Sequence, residues 1–395
     1  MSLLPVAEAQ NRLMALARPL PTDHAPVAAC AGRWLMEDVA ALREQPWADL
    51  SAMDGYAVRA AESPGPWQVV AESAAGGALP PPIEPGQACR IFTGAPLPPG
   101  ADAILIQENA AREGNRLRGL EEALAAGRHV RSAGSDFRKD DLLLTAGSAL
   151  GPAQIALAAV AGHGALPVSR RARVALISTG NELVPPGAST QPGQLPSSNA
   201  PMLAALLASL PCDIIDLGIV RDDLPGMAQA FARAADADAD IIVSTGGASV
   251  GDHDVVRPAF AQAGGSLDFW KIRMRPGKPL MAGTLDSAIF LGLPGNPVSA
   301  FVTATLFLLP LVRHMMGAAS PLPRTAVATL AAPLPATGER DDYLRAFRTE
   351  AGIVSVTSQD SAATAALAMS DCLILRPGGS APAAAGDPVT VLPLA

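Results

Sequence analysis

Three stretches place glycines, hydroxyls and carboxylates where an apolar run gives out. VALIST at 174–179 leads into Gly180-Asn181-Glu182, DIIVST at 240–245 leads into GGASVGDHD, and AIFLGL at 288–293 leads into PGNPVSAF. In open α/β sheets ligands gather beyond the carboxyl ends of the strands, so these are the places to look for chemistry. Gly246 and Gly247, with the hydroxyls of Ser244, Thr245 and Ser249, read as a cradle for an anionic group, because a glycine-rich turn can aim several N–H groups inward. The segment has neither the Lys of a P-loop nor the spacing of a dinucleotide fingerprint. Glu182 has two readings: a carboxylate at the sheet crest, or a helix-start acid complementing the dipole. Asp252 and Asp254 flank His253 and are either oxygen ligands for Mg²⁺ or a solvated acidic loop. In the third stretch Asn296 suits an N-cap and Pro297 a first helical position, leaving Val298 and Ser299 at a helix N-terminus that would welcome an anion.

A basic run, FWKIRMRPGKPL at 269–280, lies between the second and third stretches. On a regular strand Lys271, Arg273 and Arg275 share one face, and the Pro276-Gly277 turn brings Lys278 toward the same crevice. The run is either a solvated basic face or a holder of oxyanions. Far upstream, SAMDGYAV at 51–58 contains an Asp-Gly turn, in which Asp54 either caps its own turn or supplies a wall of the site. The five histidines and four cysteines show no metal-ligand spacing, no CxxC pair and no covalent-catalysis signature, which argues against zinc, a disulfide framework and acyl-enzyme chemistry.

The elements that must carry these residues form four regions. Apolar positions recur at helical spacing over 6–18 and again over 26–42. Residues 150–163 predict a helix with Pro152 in its first turn and Gly162 at its end. These make a helical domain of 1–45 and 146–170, interrupted by a β-rich inserted module at 46–145, where short apolar runs alternate with Pro-Gly clusters. From 171 to 319 strands alternate with helices expected at 199–209, 224–236 and 297–313, the pattern of a doubly wound α/β domain covered on both faces. Residues 320–395 read as a small C-terminal β domain with a strand at 372–377. The ADADAD tract at 235–240 reads as a solvated helix end.

Composition bounds the partners. The chain has 395 residues, enough for several cores, and is 49% hydrophobic but only 4% aromatic, so those cores must be built from Ala, Leu and Val. A net charge of −8 argues against a nucleic-acid partner, whose affinity needs a basic face. The amphipathic N-terminus lacks the apolar run of a signal peptide, and the stretch at 299–312 is too short to cross a bilayer, so no membrane segment and a cytoplasmic location are expected.

Taken together, GRWLMEDVAA, SAMDGYAV, RIFTGAPLPPGADAILIQE, VRSAGSDFRKDDLLL, VALISTGNEL, LGIVRDD, STGGASVGDHD, MRPGKP and GLPGNPVSAF, in that order, resemble the molybdopterin molybdenumtransferases, the MoeA family, related to the E domain of gephyrin. The resemblance implies an α/β and β multidomain fold: a helical domain with an inserted β module, a MogA-like molybdopterin-binding domain and a C-terminal β domain. It implies a homodimer whose site is shared between the α/β domain of one subunit and the β module of the other. The implied reaction inserts molybdate into adenylylated molybdopterin with Mg²⁺ and releases AMP, with molybdopterin adenylyltransferase and cofactor-receiving proteins as partners. By motif position Asp54, Thr93, Asp136, Glu182, Asp254, Lys271, Arg275 and Lys278 match functional residues. Asp54, Glu182, Asp252 and Asp254 are the implied Mg²⁺ ligands, and Gly246, Gly247, Ser249, Asn296, Pro297, Ser299, Arg345 and Ser361 line the substrate. Arg275 stands where some members have Lys, and the Ala-rich tail around Arg345 and Ser361 departs most from the pattern. Two alternatives accompany this reading, a molybdopterin adenylyltransferase-like enzyme and a gephyrin-like binding or scaffold protein.

Overall fold

The computed structural model describes residues 3–120, 123–247 and 255–394. At its centre is a six-stranded sheet in the order Cys212–Val220, Ala172–Thr179, Ile241–Thr245, Ala288–Leu293, Met281–Leu285, Ser266–Trp270. The first four strands are parallel and the last two antiparallel, so the doubly wound half carries a hairpin edge. Its central strands Ala172–Thr179, Ile241–Thr245 and Ala288–Leu293 are buried along nearly their whole length, as a sheet covered on both faces requires. One face packs on Phe231, Phe260 and Phe290, whose ring centroids lie 4.4 to 5.8 Å apart. The helix Leu224–Asp236 starts on Asp223, whose side chain accepts the N–H of Gly226 at 2.7 Å, a cap worth about 1 kcal/mol.

The opening helix, Val6–Leu16, joins this α/β core. Val6, Ala9 and Leu13 are buried with Val174, Leu291 and Phe307, and the Gln10 amide donates to the Leu306 carbonyl at 2.9 Å. The helical reading of 26–42 is corrected: the segment holds one short turn at Val27–Ala29 and a strand at Val39–Ala40. Gly32, at φ 77°, turns the chain in a left-handed conformation that stops a helix, and Cys30, Leu35 and Val39 enter a small core with Leu150 and Val168. The two flanks of the insertion do meet. Thr22–Pro26 pairs with Ala165–Ser169, and Val39–Ala40 pairs with Leu142–Leu144. The inserted module has its own six-stranded sheet, in which Gly55–Val58 lies between Ala103–Ile106 and Gln87–Ile91.

The helix from Pro297 runs to Met315 through a wider turn at Ala304–Leu308. It is apolar and long enough to cross a membrane, but 83% of that window is buried inside the protein, which marks a core helix. The C-terminal sheet contains Asp341–Thr349, Cys372–Arg376, Pro388–Pro393 and Ala326–Thr329, and it takes one more strand, Met274–Arg275, from the basic run. The ADADAD tract is corrected at its last residue. Asp236 ends the helix and Asp238 is exposed, but Asp240 is half-buried and takes a two-pronged ion pair from Arg170 at 2.6 and 2.7 Å.

Candidate active site

The strand ends at Thr179, Thr245 and Leu293 open onto a crevice of about 630 Å³, within the range of a small-molecule site. Its floor is built from backbone. Gly246 has φ 93°, and a Cβ there would run into the Thr179 carbonyl; Gly247 has φ 60°, and a Cβ would run into Val256. A Cβ at Gly295 would stand 3.4 Å from the Gly246 Cα, so two glycine loops meet face to face and leave their backbone open to a ligand.

Carboxylates stand on the wall. Glu182 folds back over Gly180, its Oε2 2.7 Å from where a Cβ would stand on that glycine. The helix-start reading of Glu182 is corrected: the chain passes from it into a short strand at Leu183–Val184, and the next helix begins at Asn199. Asp222, at the end of the neighbouring strand, accepts the Thr179 hydroxyl on one oxygen and the Asn181 N–H at 3.3 Å on the other. Sequence reasoning passed over Asp222, although it sits in LGIVRDD just beyond a strand end, where the same rule that selected Glu182 applies. Asn199, at the start of the next helix, was missed as well; its amide donates to the Gly295 carbonyl at 2.8 Å, tying that helix end to the loop after Leu293.

The third wall differs from its sequence reading. Asn296 occupies the N-cap position, but its side chain makes no capping bond; its Nδ2 donates to the Ser361 Oγ at 2.9 Å. The Val298 N–H is taken up by the Ser361 carbonyl at 3.0 Å, so the C-terminal domain occupies part of the helix end that would otherwise face an anion. Pro297 and Ala362 line the crevice, while Ser299 is buried one turn in, its carbonyl accepting the Thr303 hydroxyl at 2.7 Å. Arg345 is 1% exposed, and its guanidinium donates to the carbonyls of Asp360 and Ala363 at 2.9 and 3.0 Å. It holds the loop that presents Ser361.

The basic run is not one regular strand. Lys271 has φ 85°, which interrupts the alternation, and its ammonium lies 4.5 Å over the Trp270 ring. Arg275 spends both prongs on Asp342, at 2.8 and 2.5 Å. Arg275 and exposed Lys278 line a neighbouring cleft of about 380 Å³ with Arg340, and Pro279 lines the main crevice, so the loop separates the two. On the inserted module, the Asp54 carboxylate accepts the Thr93 N–H at 2.7 Å and the Thr93 hydroxyl at 2.8 Å. These two bonds, the backbone one foremost, hold its pKa below the usual carboxylate range. Asp136 is exposed on the same module, where its N–H donates to the Gln45 carbonyl at 3.0 Å. Ser249, Asp252 and Asp254 lie outside the described residues.

Three family models tile the chain: the MoeA N-terminal region (domain I and II) over residues 4–162, a "Probable molybdopterin binding domain" over 175–314, and the MoeA C-terminal region (domain IV) over 327–394. A molybdopterin molybdenumtransferase of Haemophilus influenzae is 34% identical over 402 residues, covering 99% of this chain and 98% of that protein. The chain belongs to the MoeA family. Molybdopterin molybdenumtransferase 2 of Mycobacterium tuberculosis is 36% identical over 85% of this chain and 84% of its own. A crystal structure of a MoeA protein from Pyrococcus horikoshii superposes with a TM-score of 0.86 at 25% identity, covering 99% of this chain and 100% of that one.

Within this MoeA chain the candidate residues fall into two groups. Glu182, Gly246, Gly247, Asn296 and Pro297 share the crevice, with Ser361 bonded at its rim. Asp54 and Thr93 form a pair on the inserted module, whose sheet is separate from the one that carries the crevice. The oxygen donors Glu182 and Asp222 fit a hard cation such as Mg²⁺, which takes one or two carboxylates plus phosphate and water. Among the described residues no group of three or more His, Cys, Asp or Glu gathers as a complete protein cage.

Proposed function

We propose that the chain inserts molybdate into adenylylated molybdopterin, releasing AMP and forming molybdenum cofactor. The observation that carries the proposal is the crevice, in which two opposed glycine loops at strand ends expose backbone for a phosphate-bearing ligand beside two carboxylates. Family membership over the whole chain supports the same chemistry.

In this reading Gly246, Gly247 and Gly295 admit the phosphates, and Asn296 and Ser361 fix the rim at the pterin end. Lys278 contributes positive charge for molybdate or phosphate, and Arg275, committed to Asp342, braces the loop that presents it. Mg²⁺ would be held by Glu182 and Asp222 with Asp252 and Asp254, and it would polarise the pyrophosphate-type bond. Asp54 and Thr93 would close the site from the module of a second subunit, the protein acting as a cytoplasmic homodimer. Four free, buried cysteines suit a reducing compartment. Molybdopterin adenylyltransferase and the enzymes that receive the cofactor are the proposed partners.

The test mixes the purified protein with adenylylated molybdopterin, molybdate and Mg²⁺, and AMP is measured. Molybdate-dependent AMP release is expected, abolished by EDTA and restored by Mg²⁺. A folded protein that binds the substrate yet releases no AMP would sink the proposal, and binding of a protein partner without turnover would point to a scaffold.

A further inference from the structure

Around Asp54 three separate segments converge. Its carbonyl accepts the Gln107 N–H at 3.1 Å, while its carboxylate takes both donors of Thr93. The next carbonyl, that of Gly55, accepts Arg90 Nη1 at 2.9 Å, and Arg90 Nη2 donates to the Gln107 side chain, also at 2.9 Å. Gly55 cannot carry a side chain, because a Cβ would collide with the Leu105 carbonyl of the adjoining strand. The Arg90 guanidinium lies over two rings, 5.0 Å from the Tyr56 centroid and 4.8 Å from that of Phe92.

From this geometry we infer that Arg90 is a positioning residue for the Asp54–Thr93 pair, a pin that ties the Asp-Gly turn to the segments carrying Thr93 and Gln107. The inference rests on the reading that Asp54 works in the reaction. The physical case is that a guanidinium presents several donors in one rigid plane, so it can bond two acceptors on different segments while its faces stack on aromatic rings. Lys, a point charge with no planar fork, cannot bridge the two acceptors in the same way. The cation–π contacts with Tyr56 and Phe92 restrain that plane further. The two rings belong to the residues next to Gly55 and Thr93, so the pin is built from the neighbours of what it holds. An exposed carboxylate is thereby set by the framework and not left to solvent.

Arg90→Met and Arg90→Lys would be compared with the parent protein for amide hydrogen exchange at Thr93 and Gln107 and for kcat and KM of AMP release. In Arg90→Met both amides are expected to exchange faster while those of the α/β domain stay unchanged. Misplacement of a reacting group costs on the order of a hundredfold, so kcat should fall by between tenfold and a hundredfold with KM nearly unchanged. Arg90→Lys should recover only part of this. Unchanged exchange at Thr93 in a folded Arg90→Met protein overturns the pin. Faster exchange with undiminished kcat upholds the pin and instead overturns a catalytic role for Asp54. Should Arg90→Met not fold, Gln107→Leu removes one of the two acceptors and is expected to loosen the same amides, an absence of loosening again counting against the inference.

Discussion

At the residue scale, Asp54 shows how a surface acid acquires a fixed state. Its carboxylate accepts two bonds from Thr93, which favour the charged form and hold its pKa low. Thr93→Val removes the hydroxyl and keeps the N–H, so the Asp54 pKa should move up toward the ordinary carboxylate range without reaching it. A pH titration of the Asp54 side-chain carbon by NMR checks this, and a fall would contradict the assignment. Burial acts the other way on thiols. Cys89 is pushed up to about 11, mainly by desolvation, so at pH 8 it is neutral and shielded. All four cysteines are buried, and native protein should resist iodoacetamide at that pH and take it up only on unfolding, as mass spectrometry would show.

At the element scale, the glycine loops carry the prediction. Gly246→Ala places a methyl against the Thr179 carbonyl at a positive φ, whereas Gly193→Ala, at φ 88°, meets open space. Gly193→Ala should cost about 1–2 kcal/mol from backbone strain alone. Gly246→Ala should cost more and also abolish substrate binding, as urea melts and ligand titration would show. The parallel strands and the helices near 199, 224 and 297 were legible because an apolar run or a helical period decides them locally, whereas the edge hairpin of Ser266–Trp270 and Met281–Leu285 and the helix Val256–Gln262 were not read. Helix 26–42 was misread because its spacing of apolar residues also suits a coil pinned by Gly32, and only the small core around Leu35 and Leu150 tells the two apart. The crevice loops were legible as strand ends. The use of Asn296, Arg275 and Arg345 was not, because their partners Ser361, Asp342 and the Asp360 carbonyl come from distant sequence.

At the scale of the whole molecule, the two groups of candidate residues sit on different domains. If two subunits complete each other's sites, Asp54→Asn and Glu182→Gln, each inactive alone, should complement when mixed. Random reassortment makes half the dimers mixed, each with one intact site, so activity should return to about a quarter of the parent level. A site formed within one chain would give no recovery. Mixing under subunit exchange, followed by the AMP assay, separates the two arrangements.

The strand Met274–Arg275 belongs by sequence to the α/β domain, yet it completes the C-terminal sheet through residues 341 and 342. The boundary near residue 320 is therefore not a place where the chain can be divided. A fragment ending there would lack Asp342, whose side chain is now 5% exposed, and would leave Arg275 without its carboxylate and strand 274–275 without its neighbour. Any exchange of the tail between relatives, in nature or in the laboratory, has to carry a matching edge on the basic loop. Inheritance of the last domain is thus linked to the sequence of the basic turn, and the two should change together.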